Sequence, residues 1–448
     1  RVCLMRIDLP NPGKFNHIFD MTLDESLSEK VDGISTDSRD IKEGDLYLAI
    51  SGEKVDGHSF LEEVFAKGAS TALVNKSIDN FKGKLIKVDD PVYAIGKIAK
   101  TWRDQFQIPV IGITGSNGKT STKELLKYIL SAKYDIHATE GNYNTSIGLP
   151  LTLLRLTEYH GVSILEMGAN QPGDIEKLCK IAYPTHGLIT NIAPAHLEGF
   201  GDIQTVANTK GELFKFLSNG LSFINAADNR VNDLETYGDT ITFGLTSNCD
   251  YPTDLHHNND GSIILTIDAE EIKTNSINLS FAKNVIACST IASELGLSWE
   301  AIKDRILTSQ PPKGRCEIKT NGQITVIDDT YNANVDSTIA AIDYLKAFSG
   351  NGKRIFVFGD MLELGASSED QHRIIGKKCQ KEELSVVFTI GNETIVAHEE
   401  INNSILHKHF EQKESLLSNL NEIISEGDKI LVKGSRGMRM EEIVEQII

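Results

Sequence analysis

The cysteines of this chain are few and unpaired. Six of them, Cys3, Cys179, Cys249, Cys288, Cys316 and Cys379, are scattered with no Cys-x-x-Cys among them, which argues against a zinc knuckle and a disulfide framework and leaves them as packing residues. Long apolar runs are missing too. None approaches the ~20 residues needed to span a bilayer, so membrane insertion is not expected. Clustered Lys and Arg are equally absent, and a net charge of −18 opposes nucleic-acid binding, because phosphate backbones are held by such clusters. Any phosphate ligand must be handled locally, by a turn, a lysine and metal ions. The first residues, Arg1 to Asp8, carry no signal-peptide apolar core, and a cytoplasmic location is the expectation. No repeat of fixed period and no low-complexity tract appears.

What is present is length and alternation. At roughly 100–200 residues per domain, 448 residues imply two to four domains, and the pattern divides into three, at 1–106, 107–309 and 310–448. The first segment alternates short apolar runs with turns and holds two polar clusters, Ser35-Thr36-Asp37-Ser38-Arg39 and Asp56-Gly57-His58-Ser59-Phe60. Both read as loops at the ends of strands and helices, where ligands bind. The second and third segments repeat strand then helix, the pattern of parallel sheets covered by helices. Pro311-Pro312 marks the linker between them, since neither proline continues a helix.

One stretch organises the whole: Val110-Ile-Gly-Ile-Thr-Gly-Ser-Asn-Gly-Lys-Thr-Ser121. An apolar run, Ile108 to Ile113, reads as a buried strand, and Leu125, Leu126, Ile129 and Leu130 recur at the spacing of a core-facing helix. Between them lies a phosphate-binding turn. Gly115 and Gly118 let the backbone wrap an anion, amides at the helix start point at it, Lys119 adds charge, and Thr120 offers a hydroxyl to Mg²⁺. Ile113 stands where the standard P-loop has its first glycine, so the motif is the shorter Thr-Gly-x-x-Gly-Lys-Thr. A nucleoside triphosphate is the expected ligand.

Downstream, the strand Val162 to Glu166 ends in a carboxylate suited to Mg²⁺, which takes oxygen ligands. A further strand leads to His196, and a helix from about Asp202 carries Lys210. On residue type alone, His196 is a less natural ligand for so hard a cation and reads first as a structural hydrogen-bonding residue, and Lys210 reads as a solvated helix charge. The third segment adds Gly314-Arg315, Asp328-Asp329-Thr-Tyr331-Asn332-Ala-Asn334, Gly359-Asp-Met-Leu-Glu363-Leu-Gly365 and Lys433-Gly-Ser435, all placed where catalytic loops belong.

Together with Glu166-Met-Gly168, Asn191, Ala195-His196-Leu-Glu-Gly-Phe-Gly201 and Lys210-Gly-Glu212, these segments resemble the Mur ligases along nearly the whole chain. The resemblance implies three α/β domains: an N-terminal one holding a uridine nucleotide, a central parallel-sheet P-loop-type ATPase, and a C-terminal Rossmann-like one that brings the amino component. The loops 328–334 and 359–365, with Thr36-Asp-Ser-Arg39 and Asp56-Gly-His58, look like the member that adds D-alanyl-D-alanine to UDP-N-acetylmuramoyl-tripeptide. The tripeptide-forming ligase and folylpolyglutamate synthase carry a histidine-containing loop where this chain has Tyr331-Asn332. A nucleotide-dependent binding protein on the same fold is the non-enzymatic alternative, against which Glu166, His196 and Lys210 together argue.

The residue roles follow from the resemblance. It implies ATP held by Thr114, Gly115, Ser116, Asn117, Gly118, Lys119, Thr120 and Ser121. Arg315 is assigned to the γ-phosphate, Asp329 to the ribose, and Asn284 and Asn332 to the adenine side. Thr120 and Glu166 hold one Mg²⁺, and Glu166, His196 and a carbamylated Lys210 a second. Thr36, Ser38, Arg39, Asp56, Gly57, His58, Asn142, Asn144, Lys433 and Ser435 fall to the substrates, and a monomer is expected. Two departures stand out: Phe281-Ala-Lys283-Asn284 replaces the family's Gly-x-His-Asn, and Val335 a proline.

Overall fold

The structure, a computed structural model, describes residues 5–27, 29–52, 55–194 and 196–448; Cys3 and Ala195 lie outside them. Among the described residues the chain forms three sheets of five, nine and six strands, and no helix is long and apolar enough to cross a membrane.

The first sheet is parallel from Gly33–Ser35 through Asp45–Leu48 and Thr71–Val74 to Leu85–Lys87, with Arg6–Asp8 antiparallel at its edge. Asp56–Phe60, expected as a loop, is a one-turn 3₁₀ helix over Gly57–Phe60, because the Asp56 carboxylate caps the His58 amide. The helix Pro91–Arg103 belongs to this segment in sequence but packs on the central layer. Trp102 donates its indole N–H to the Leu156 carbonyl at 3.0 Å, and Arg103 its Nε–H to the Ala182 carbonyl at 3.1 Å. One apolar core therefore runs unbroken from Phe15 through Trp102 to Leu151 and Leu178.

In the central sheet the strand Val110–Thr114 lies between Val162–Glu166 and His186–Ile189, all parallel. Their fully buried apolar runs are those of a sheet covered on both faces. On one side the chain crosses to the edge strand Ile136–Ala138 and returns through Val162–Glu166 beside Val110–Thr114; on the other it builds outward through His186–Ile189, Leu221–Asn225 and Asp239–Gly244. The strand Val110–Thr114 is thus the switch point, outside whose carboxyl end ligands bind in open α/β sheets. Tyr251–His257, Ile263–Ile267 and Glu270–Lys273 complete that edge, paired with one another antiparallel, as the loose alternation after residue 250 suggested.

The third sheet orders its strands Glu317–Thr320, Thr325–Asp329, Lys429–Lys433, Arg354–Gly359, Val386–Ile390 and Leu406–Phe410. Only the first is antiparallel to its neighbour. It has apolar cores of its own on either face, around Phe356 and around Val357.

Candidate active site

A cleft of about 1390 Å³ opens between the central and C-terminal layers. Its central wall carries Ser116, Asn117, Gly118, Lys119, Thr120, Ser121, Asn144, Glu166, His196 and Asn284; the facing wall carries Arg315, Asp329, Tyr331, Asn332, Asn334 and Lys433.

The phosphate turn is held from the next strand. Gly115 has φ +146°, and a Cβ there would lie 1.9 Å from Thr190 Oγ1, so only glycine fits. Gly118, at φ +80°, is the left-handed residue that starts the helix Lys119–Leu130. The Asn117 amide donates to Asn191 Oδ1 at 2.8 Å, and Ser116 Oγ donates to the Ala193 carbonyl at 2.8 Å. Lys119 Nζ donates to the Gly115 carbonyl at 2.7 Å. Burial lowers its pKa, against the opposing pull of Glu166. Thr114 Oγ1, buried where the strand enters the turn, has no partner among the described residues.

Beside the turn runs a polar relay. Arg315 donates from Nη2 to Thr120 Oγ1 at 2.8 Å, Thr120 donates to Glu166 Oε2 at 2.8 Å, and Asn144 Nδ2 donates to Glu166 Oε1 at 2.7 Å. Neighbouring oxygens on an octahedral Mg²⁺ with 2.0–2.1 Å bonds stand about 2.9 Å apart, so the Thr120 and Glu166 oxygens fit this cation. Among the described residues no group of three or more His, Cys, Asp or Glu side chains is gathered as a ready metal cage. Mg²⁺ here would draw on one or two protein oxygens and take the rest of its shell from phosphate and water.

Lys210 is not a solvated helix charge. Only 2% exposed, it lies behind the cleft wall, with the Phe200 ring centroid 6.0 Å from Nζ. Burial first, and the charge of Lys119 second, push its pKa well below the usual lysine value, which favours the neutral, nucleophilic amine. His196 sits at φ +53° at the start of the short helix Leu197–Phe200, and its Nδ1 is 2.7 Å from Glu363 Oε2 of the C-terminal layer.

On the facing wall, Arg315 stands over the Tyr331 ring, its Cζ 3.9 Å from the ring centroid. Asn334 caps the helix Val335–Ala347 through a reciprocal pair with Ser337 and also donates from Nδ2 to Asn117 Oδ1 at 2.7 Å. Lys433 is buried against the Asp329 carboxylate and donates to the Asn332 carbonyl at 2.9 Å. The Cys316 amide donates to Asp329 Oδ1 at 3.1 Å. Cys316 also lines the cleft, unlike the fully buried Cys179, Cys288 and Cys379.

The other sequence-derived residues lie elsewhere. Thr114, Gly115, Asn142, Lys210 and Ser435 do not line the cleft; the Ser435 hydroxyl accepts from the Leu362 amide at 2.8 Å. Thr36, Ser38, Arg39, Asp56, Gly57 and His58 stay with the first sheet, away from this cleft. Arg39 is exposed and chelates Asp37 at 2.7 and 2.8 Å. His58 has both ring nitrogens engaged, Nδ1 with Asp56 Oδ1 at 2.6 Å and Nε2 as acceptor from the Asn75 amide at 3.3 Å. Lys76, then His58 and Ser51, hold the Asp56 carboxyl well below the usual carboxylate range.

Two features escaped the motifs. Lys123, one turn into the helix Lys119–Leu130, is wholly buried and donates to the Thr139 carbonyl; Thr139 Oγ1 accepts from the Glu166 amide at 3.0 Å. Asp336, whose pKa is raised by burial despite Arg230, lines the cleft. Only the position of Lys123 on the phosphate-turn helix could have drawn notice beforehand.

With this geometry in place, known proteins offer close parallels. The Mur ligase middle domain matches residues 113–292, the Mur ligase glutamate ligase domain 314–436, and the Mur ligase family catalytic domain 30–103. UDP-N-acetylmuramoyl-tripeptide–D-alanyl-D-alanine ligases from Haemophilus influenzae and Bacillus subtilis are 35% and 34% identical, each covering 93% of both chains. The crystal structure of MurF from Acinetobacter baumannii superposes with a TM-score of 0.89 at 29% identity, over 96% of this chain and 98% of its own. MurF ligase from Thermotoga maritima, solved in complex with ADP, gives 0.82 at 29%, over 92% and 96%. Three matched segments, relatives spanning nearly the full length and a shared three-layer architecture place this chain in the Mur ligase family.

Proposed function

We propose that the chain is an ATP-dependent amide ligase of peptidoglycan synthesis that joins D-alanyl-D-alanine to UDP-N-acetylmuramoyl-tripeptide. The observation that carries the reading is the relay Arg315–Thr120–Glu166, in which one layer places an arginine on the phosphate turn of the other. Ligases of this name are the relatives matched over most of the chain, and a structural neighbour was solved with ADP.

A carboxylate is a poor electrophile because its leaving group would be oxide. Its oxygen attacks the γ-phosphorus of ATP, ADP leaves, and the resulting acyl phosphate has a good leaving group. The amine of D-alanyl-D-alanine then attacks the carbonyl carbon, the tetrahedral intermediate expels phosphate, and the amine proton goes to solvent. The protein's contribution is position and charge. Lys119 neutralises the β- and γ-phosphates, aided by Ser116, Asn117 and the turn amides. Arg315, held over the Tyr331 ring, meets the γ-phosphate, and Asp329 and Asn332 face the ribose and adenine. Thr120 and Glu166 would hold Mg²⁺, with His196 and a carbamate on Lys210 serving a second ion. Bound there, the cations supply charge neutralisation to the transferring phosphoryl group.

Residues 1–106 are assigned to the uridine nucleotide, 107–309 to ATP and 310–448 to the amino component, in a cytoplasmic monomer. The deciding assay measures phosphate release from ATP with UDP-muramoyl tripeptide, comparing D-alanyl-D-alanine with single amino acids and with folate plus glutamate. Release only with the dipeptide is expected. Release with a single amino acid instead would refute the assignment.

A further inference from the structure

His196 and Glu363 are 167 positions apart and belong to different layers, yet His196 Nδ1 stands 2.7 Å from Glu363 Oε2. Both residues hold left-handed backbone, φ +53° and φ +64°, a conformation disfavoured for residues with a Cβ. The loop that carries Glu363 is seated closely: a Cβ on Gly365 would lie 3.6 Å from the Glu198 Cα. The pair is therefore the meeting point of two shaped segments.

An ionised carboxylate only accepts hydrogen bonds, so the proton between the two groups belongs to the imidazole. With Nδ1 protonated, the neutral ring keeps its lone pair on Nε2, the arrangement that carboxylates impose on metal-binding histidines. We propose that Glu363 is a positioning residue: it holds His196 as the Nδ1–H tautomer with the Nε2 lone pair left for the metal side of the cleft. Because Glu363 comes from the C-terminal layer, the cation site is complete only where that layer meets the central one. The inference rests on the ligase reading above, and specifically on His196 serving a cation.

The test is Mn²⁺ affinity by electron paramagnetic resonance, on full-length protein with a non-hydrolysable ATP analogue and the UDP-tripeptide. Glu363→Ala should weaken Mn²⁺ binding roughly tenfold or more, with KM for the UDP-substrate unchanged. Glu363→Gln, whose amide oxygen still accepts from Nδ1, should recover most of that loss. Glu363→Gly, which removes the carboxylate while relieving the backbone, should behave as the Ala variant; wild-type Mn²⁺ affinity in the Gly variant would trace the Ala effect to strain and overturn the proposal. Unchanged affinity in Glu363→Ala, with a loss in His196→Ala, overturns the positioning role alone. Unchanged affinity in both variants removes His196 from the cation site, and the inference falls with that reading.

Discussion

Lys210 sits where an ordinary lysine is least at home, buried near a second lysine. Both influences favour the free amine, whose nitrogen can add to CO₂ and release a proton, turning a misplaced cation into an anionic oxygen ligand. Lys210→Ala should lower ligation roughly 10–100-fold, with partial recovery in acetate; full activity without acetate would defeat the carbamate. His137 makes a second, separable case. Buried between Ser163 Oγ at 2.8 Å and the Thr152 carbonyl at 2.9 Å, it has its pKa pushed down to about 4, chiefly by burial. The unfolded chain, with a histidine pKa near 6.5, binds the extra proton between those values, so stability is full above about pH 6.5 and falls toward pH 4. The loss attributable to this ring is about 3 kcal/mol across that window. Urea midpoints at pH 7 and pH 5 should show a smaller pH difference in His137→Gln than in the wild type.

At the scale of elements, the strand–turn–helix 110–130 separates function from folding. Among the described residues the Lys119 ammonium bonds to carbonyls of its own turn, so Lys119→Ala should abolish ATP turnover while leaving the circular dichroism spectrum and melting temperature near wild type. Near-normal turnover would mean that this turn is not the catalytic one. Lys123, four residues on, is the opposite case. Removing it strands the buried Thr139 carbonyl, at a cost of about 1–3 kcal/mol, and loosens the Thr139 hydroxyl that holds the Glu166 amide. Lys123→Ala should therefore lower both the urea midpoint and turnover, whereas a stable variant with full activity would show that Thr139 needs no such anchor.

Across the whole molecule, the first two layers share an unbroken core while the third has its own. The third layer meets the central one through Ile277, which packs against its core, and through polar pairs, among them Asn334–Asn117 and Arg315–Thr120. Substrate effects should instead divide between the first layer and the central one, although these two share a core. Arg39, exposed in the turn after the strand Gly33–Ser35 and not part of the cleft lining, should when replaced by Ala raise KM for the UDP-substrate several-fold and leave KM for ATP unchanged. Equal loss of both would refute the assignment of 1–106. His58, with both nitrogens engaged, would act through the Asp56 turn that it braces.

The strands, the phosphate turn and its helix, the strand-end Glu166 and the antiparallel edge after residue 250 were legible in the chain itself. Each depends on the spacing of near neighbours: a run of apolar residues, a glycine at a turn, a 3.6-residue period. Motif order extended that legibility to Arg315, Asp329 and Lys433, though not to the partner each would take. Tertiary structure alone decided that Lys433 pairs with Asp329, that Arg315 lies on Tyr331 and reaches Thr120, and that Glu363 meets His196. It also decided that two helical lysines are buried, since periodicity reports which face of a helix is polar but not what packs on that face. The 3₁₀ turn at Gly57–Phe60, hidden among loop-forming residues, turned on a single Asp56 cap. Contacts between layers depend on the twist of the sheets and the path of the crossovers, and no local spacing in a sequence encodes these.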